Sequence, residues 1–481
     1  MAILRRPVLG LVALVLMVYL DLSDILIRFH GLPSLLQLLA IPLLLAALVR
    51  WRGRVLEGAS PAALTVALLA YVAVFVASLA VAAEPALAQG RAVAAAKGFA
   101  ICVLVALLAD TPEKVRIGAW TLAGGGLLLA GIALAHAAVG AHGSDFGGFA
   151  RVEYVPVYED VMEVRAAGPL GDANFFAQIL VAVVPIALLL AWKERNRWLQ
   201  ILALAAATVI SVATLFTYSR GGALALAVVV VCSLFAAHPS RRRLAVGGLL
   251  IVAALVLVPR NVTRRLSTLG QLLPGRERVS EIDTSFQSRL LQARVAWEIF
   301  IDHPLLGVGA GNYTAHYYEY ADEVGSAAPE YDNAGGDHYP HDLYLELASE
   351  TGFLGLAAFG AVLVLVFGYL RRAERSFFAE DQELHAALAS ALQIAVLGYL
   401  VSSLFLHGHF QRYLWILLGL SLALAREAPG EPRTAAFSVD GVSPGDAAGS
   451  LAGGRTAEPR ATRAALAAGA ASFAREGKEM T

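Results

Sequence analysis

Charge is scarce in this sequence. Aspartate, glutamate, lysine and arginine make up 16% of its 481 residues, against about 25% in soluble globular chains. Apolar residues make up 58%, and mean hydropathy is +0.65. One water-soluble core cannot hide that excess. Cysteine is nearly absent. Cys102 and Cys232 both lie inside apolar runs, which excludes a disulfide framework or a cysteine zinc site and marks both as packing residues. The net charge of −1, with basic residues scattered between apolar runs, speaks against a nucleic-acid surface. A signal-peptide cleavage site is also missing. Arg5, Arg6 and a short apolar run are followed by Asp21, Leu22, Ser23 and Asp24, then by more apolar sequence. The start therefore reads as an uncleaved first span. No repeat of fixed period is present.

What the chain has instead is a series of apolar runs near the ~20 residues that a spanning helix needs. They lie near 7–21, 32–49, 61–82, 91–109, 116–139, 172–192, 198–217, 221–237, 243–259, 341–370, 384–406 and 410–425. They predict an all-α polytopic membrane protein of about twelve spanning helices. Basic residues recur at every second connection: Arg5/Arg6, Arg50/Arg52/Arg54, Lys114/Arg116, Lys193/Arg195/Arg197, Arg241/Arg242/Arg243 and Arg371/Arg372/Arg375. Under the positive-inside bias both termini are cytoplasmic. A large helical loop at about 260–340, between the ninth and tenth spans, is then extracytoplasmic, as are 140–171 and a turn near His407–Arg412. A membrane domain of 1–426 is followed by 427–481, rich in Ala, Gly, Pro and Arg, which reads as a disordered cytoplasmic tail.

Arginines on the outer side run against that bias and need another reason to exist. They are Arg151, Arg165, Arg220, Arg289, Arg294 and Arg412. Arg220 stands in Thr217-Tyr218-Ser219-Arg220-Gly221-Gly222, at the start of a span. It is either an interfacial arginine with its charge in water or, beside two glycines and a helix N-terminus, an anion contact. Ile282 to Ile301 reads as an amphipathic helix fit to lie on the outer membrane surface, with Ile282, Phe286, Leu290, Ala293, Trp297 and Phe300 on one stripe. Arg289 falls on that stripe without an acidic neighbour. Arg294 falls at its edge, with Glu298 four residues on. Gly307-Val308-Gly309-Ala310-Gly311 reads as a tight turn, because a dinucleotide fingerprint needs a βαβ unit. Tyr313, Tyr317, Tyr318, Tyr320, Tyr331 and Tyr339, among carboxylates, are either a sugar-holding surface or an interfacial aromatic belt. His338 and His341 flank Pro340, which breaks the register a metal pair would use; one histidine at a helix start suits acid–base work. The other pair, His407 and His409, has no third ligand in sight.

Four stretches together resemble the O-antigen ligase and O-antigen polymerase superfamily of bacterial envelope glycosyltransferases. They are Gly171-Asp172-Ala173-Asn174-Phe175-Phe176-Ala177; Tyr218-Ser219-Arg220-Gly221-Gly222; Ser288-Arg289 through Trp297 to His303-Pro304-Leu305-Leu306-Gly307-Val308-Gly309; and Pro340-His341-Asp342-Leu343-Tyr344-Leu345-Glu346 with Glu350-Thr351-Gly352. The likeness departs from the family at Asp342, where asparagine is usual. The resemblance implies a GT-C-like helical fold in the bacterial inner membrane. It implies an enzyme that moves saccharide units from a polyprenyl-diphosphate-linked donor to a hydroxyl of a glycan or glycolipid acceptor at the periplasmic face, as polymerase or ligase, without cofactor or metal. By the same resemblance His341 and Arg220 are catalytic together with one of the two loop arginines. The family's arginine three before a tryptophan matches Arg294, whereas the apolar stripe favours Arg289, which is taken as catalytic. Arg294, Asn174, Asp172, Tyr218 and His338 bind substrate. The competing reading is a transporter or flippase of lipid-linked glycans, which would place polar residues deep in several spans.

Overall fold

The computed structural model describes residues 7–36, 38, 42–43, 59–140, 143–158, 161–237, 284–324, 338–408 and 412–429. Residues 1–434 form one compact unit. From residue 430 the expected tail lies outside the described residues, as do the expected spans at 243–259 and, for the most part, 32–49.

The molecule is mainly helical. In chain order the helices are α1 (Pro7–Tyr19), α2 (Leu22–His30), α3 (Ala59–Ala77), α4 (Pro85–Leu108), α5 (Pro112–Val139), α6 (Ala173–Lys193), α7 (Arg197–Phe216), α8 (Arg220–Ala237), α9 (Thr284–Asp302), α10 (Tyr313–Glu323), α11 (Leu343–Ala379), α12 (Glu383–Ser402) and α13 (Arg412–Arg426). Seven of them, α3 to α7 with α11 and α12, are long and apolar enough to cross a membrane. α1 and α2 add an eighth if taken as one span, bent by 57°. The expected count of about twelve is thus met only in part among the described residues. Asp21 makes the bend, with φ of 54°, and Arg412 on α13 pairs with both Asp21 and Asp24 across it.

The expectation of an all-α fold needs a correction. β1 (Arg151–Tyr158) and β2 (Val161–Gly168) form an antiparallel hairpin between α5 and α6. Val152 and Tyr154 alternate with polar residues and favour a pleated strand, a short-period signal that a search for long apolar runs passes over.

Tertiary contacts sort the turns to two ends of the bundle. At one end Arg116 binds Glu194 through Nε and a second nitrogen, both at 2.8 Å, Trp120 Nε1 donates to the same carboxylate, and Lys193 reaches Glu383 at 3.1 Å. These connections are rich in basic residues. At the other end lie the hairpin, the start of α8, α9 and α10, the start of α11 and the turn at 406–408.

The Gly307 turn docks on a break in α11. Gly352 has φ 64° and ψ −160°, which interrupts the helix. Val308 N donates to Ser349 O at 2.9 Å and Gly309 N to Glu350 O at 3.0 Å; Phe353 N and Leu354 N donate to Pro304 O and Leu305 O. The backbone groups that the helix loses at the break are thereby satisfied. Gly307 also has positive φ, and a Cβ there would overlap the Ser349–Thr351 backbone. The expected tight turn is therefore a glycine turn, shaped by close backbone approach.

Candidate functional site

The hairpin, α6 and α8 are tied by one side chain. Arg165 is 6% exposed, and its Nε donates to Thr217 O at 2.9 Å. Its other nitrogens reach Asn174 Oδ1 at 2.9 Å and Glu153 at 3.3 Å, while Glu153 also accepts Ala173 N at 3.0 Å. This fixes the strand-to-helix entry and the Thr217–Arg220 turn together. Within that turn Tyr218 takes φ of 53°, and Ser219 Oγ accepts Gly222 N at 3.2 Å as a helix cap. Arg220 is thus the first residue of α8. A cation there opposes the helix dipole, and that placement suits a guanidinium that shares an anion with the helix N-terminus.

The second half gathers around His341, which is held at φ 49°, a conformation rare for any residue but glycine. Its ring meets His407 edge-on at 5.2 Å, and His407 stacks on Tyr339 at 4.3 Å and meets Phe175 at 5.3 Å. His341 Nδ1 is buried with no hydrogen-bond partner. Burial first, then the positive charge of Arg289 and then His407, push the His341 imidazole from its usual 6.5 down to about 3, against an opposing pull from Glu346. The ring is neutral at physiological pH. Fully buried Glu346 accepts Gly408 N at 2.6 Å and so pins the turn that carries His407.

The two halves meet through the 403–405 turn, because Gly221 lies against Phe405, two residues before His407. Thus Arg220, Tyr218, Arg289 and His341 lie at the same end of the bundle. Arg294 does not join them: it is exposed, on a different side of α9 from Arg289.

Three expected substrate contacts have intramolecular work. Asp172 caps α6, accepting Asn174 N at 2.7 Å and Phe175 N at 3.0 Å. The Asn174 carbonyl is held by Arg165. His338 is buried, stacked on Tyr317 at 4.1 Å, with Nε2 3.0 Å from the Tyr318 hydroxyl. Asp342 caps α11 through Tyr344 N and Leu345 N at 2.8 and 2.9 Å, a task that asparagine performs equally well. The departure from the usual asparagine is then of little structural consequence. Tyr313, Tyr317 and Tyr320 are core residues between α9 and α10 rather than an open sugar platform. Burial, followed by the neighbouring Asp302, pushes the Tyr320 phenol up to about 12.

Sequence reasoning marks Arg165 only as a misplaced outer charge and misses Glu346 and His407 as site residues. His407 was weighed only as a metal ligand, and its ring contacts come from chain segments far apart in sequence. Among the described residues no group of three or more His, Cys, Asp or Glu side chains is placed to hold a metal ion.

Residues 205–360 match the family model described as O-Antigen ligase. That match supports the O-antigen ligase and polymerase superfamily for this stretch of the chain. The O-antigen ligase domain spans Arg220, Arg289, Arg294, His338 and His341, whereas Asp172 and Asn174 precede it. It marks a glycan-transferring membrane enzyme. No curated protein matches the chain. Among solved structures, a chain from "Structural coordination of polymerization and crosslinking by a peptidoglycan synthase complex" aligns at 21% identity and a TM-score of 0.40, over 76% of this chain and 98% of that one. That overlap is too loose to carry an argument about fold or reaction.

Proposed function

We propose that the protein transfers or polymerises saccharide units from a polyprenyl-diphosphate-linked donor onto a hydroxyl of a glycan or glycolipid acceptor. The reaction takes place at the periplasmic face of the bacterial inner membrane. The observation that carries this reading is the His341 ring, held at positive φ beside His407 with a buried, unpartnered Nδ1 and in the field of Arg289, inside the O-antigen ligase domain.

The chemistry follows from those two groups and Arg220. The bond between the donor's anomeric carbon and the diphosphate oxygen breaks, and its electron pair leaves with the lipid diphosphate. Arg220 and Arg289 stabilise that growing negative charge. The acceptor oxygen bonds to the anomeric carbon and gives its proton to His341, whose ring is neutral and whose basicity rises as the bound diphosphate offsets the Arg289 charge. Arg165 and Glu346 touch no reacting atom in this scheme; they hold Arg220 and the His407 turn in place.

The test is reconstitution of the full chain in proteoliposomes with a polyprenyl-diphosphate oligosaccharide and candidate acceptors. The expected result is glycan transfer matched by release of free lipid diphosphate. Movement of intact donor across the bilayer without diphosphate release would overturn the reading in favour of a flippase.

A further inference from the structure

α9 has two apolar faces. Leu291, Val295, Ala296 and Ile299 are buried against α10. Leu290, Trp297 and Ile301 are exposed on the other side. Leu290 and Trp297 of the stripe anticipated from sequence lie on this outward side, Ala293 and Phe300 are half-buried, and Arg289 sits at its flank rather than on it. At ~100° per residue Leu290, Arg294, Trp297 and Ile301 share an arc of about 60°. Arg289 and Arg294 point about 140° apart. One diphosphate held by Arg289 beside His341 is therefore not held by Arg294.

The outward stripe has a fixed place relative to the bundle. Past α9 the chain reaches Leu305, 67% exposed, whose carbonyl accepts Leu354 N. Phe353 and Leu354 are 60% and 43% exposed, and below them Ala357, Ala361 and Val364 continue an exposed apolar line down the spanning part of α11. The exposed side of α9 is thus joined through Asp302, His303, Pro304 and Leu305 to an exposed apolar line on a candidate span.

We infer that the outward face of α9 is a lipid-binding surface seated in the outer leaflet of the membrane. Leu290, Trp297, Ile301 and Leu305 lie among acyl chains, and Arg294 takes a phospholipid phosphate. The long apolar stem of an arginine within such a stripe reaches the headgroup level while its guanidinium pairs with phosphate. A tryptophan at that depth is the usual interfacial anchor. The surface holds Arg289, on the flank of the same helix, at a set height above the membrane. The inference needs the spans to lie in a bilayer and does not depend on the transfer reaction.

Spin-label accessibility on the full chain tests it. Trp297→Cys, Ile301→Cys and, as a water-facing control, Glu319→Cys are made with Cys102→Ala and Cys232→Ser, labelled with a nitroxide and reconstituted in phosphatidylglycerol vesicles. Oxygen should relax the labels at 297 and 301 several-fold more than a water-soluble nickel chelate does, and the order should reverse at 319. Adding Arg294→Gln should lower the oxygen-to-nickel ratio at 297. Nickel-dominated relaxation at 297 and 301 would place the face in water. Shielding from both reagents would place it under protein, either another segment or a second copy. Each overturns the inference. Without labels, brominated acyl chains should quench Trp297 emission, read as the difference between wild type and Trp297→Phe, and no difference would count against it. Loss of lipid-diphosphate binding in Arg294→Gln at unchanged depth would return Arg294 to the donor site.

Discussion

His341 carries two costs that a structural histidine would avoid. A non-glycine residue at positive φ stores on the order of 1–3 kcal/mol, and its buried Nδ1 lacks a hydrogen-bond partner. Both are intelligible if the ring must present a neutral nitrogen to a substrate hydroxyl. His341→Ala should lower the transfer rate by about 10²–10⁴-fold, and Arg220→Ala by about 10²–10³-fold, both measured as glycan transfer in proteoliposomes; full activity in both variants would remove the proposed site. The neighbouring charge makes a signed prediction about pH. Arg289 disfavours the imidazolium, so its loss in Arg289→Gln must raise the His341 pKa. The acidic limb of kcat/KM, read from the residual activity, should then move to higher pH. An unmoved limb would separate His341 from the proton transfer. Arg220 and His341 were legible in the sequence as a misplaced charge and as a histidine at a helix start. The preference for Arg289 over Arg294 came in the sequence from an apolar stripe, whereas in the structure it rests on which side of α9 packs against α10.

The break in α11 and the Gly307 turn are two parts of one element pairing, written in sequence as separate glycine motifs. Gly307 and Gly140 share the same φ of 64°, yet a Cβ on Gly140 meets nothing within 4 Å while one on Gly307 overlaps backbone. Gly140→Ala should therefore cost only the left-handed strain, about 1–2 kcal/mol. Gly307→Ala should cost clearly more, since the docked turn must shift. Denaturant titration of the purified protein in detergent compares the two, and equal losses would show that the turn is not held by this close approach. The hairpin taught the opposite lesson. Its signal was local, an alternation over a few residues, and was lost beside apolar runs several times longer. Once formed, it supplies Arg165, which locks the Arg220 turn to the entry of α6.

At the scale of the molecule, the end of α6 at Lys193 with the following Arg195, and the later part of α11 with Arg371 and Arg372, lie away from the end bearing His341 and Arg220, so sidedness can be tested as one hypothesis. In intact cells an impermeant thiol reagent should label Glu319→Cys and leave Arg195→Cys unlabelled until the membrane is permeabilised. The reverse pattern would sink the topology and the proposed reaction together. The sequence by itself determined that this chain belongs in a membrane, because the scarcity of charge and the length of the apolar runs are properties of composition and order. It also determined the local motifs, since a capped helix start or a glycine turn is built from neighbours in the chain. Only the tertiary structure decided which motifs share a site. His341 with Glu346, His407, Phe175 and Arg289 come from four separate stretches of the chain, and no periodicity along the chain encodes a ring-to-ring distance or the face that a helix turns toward its partner.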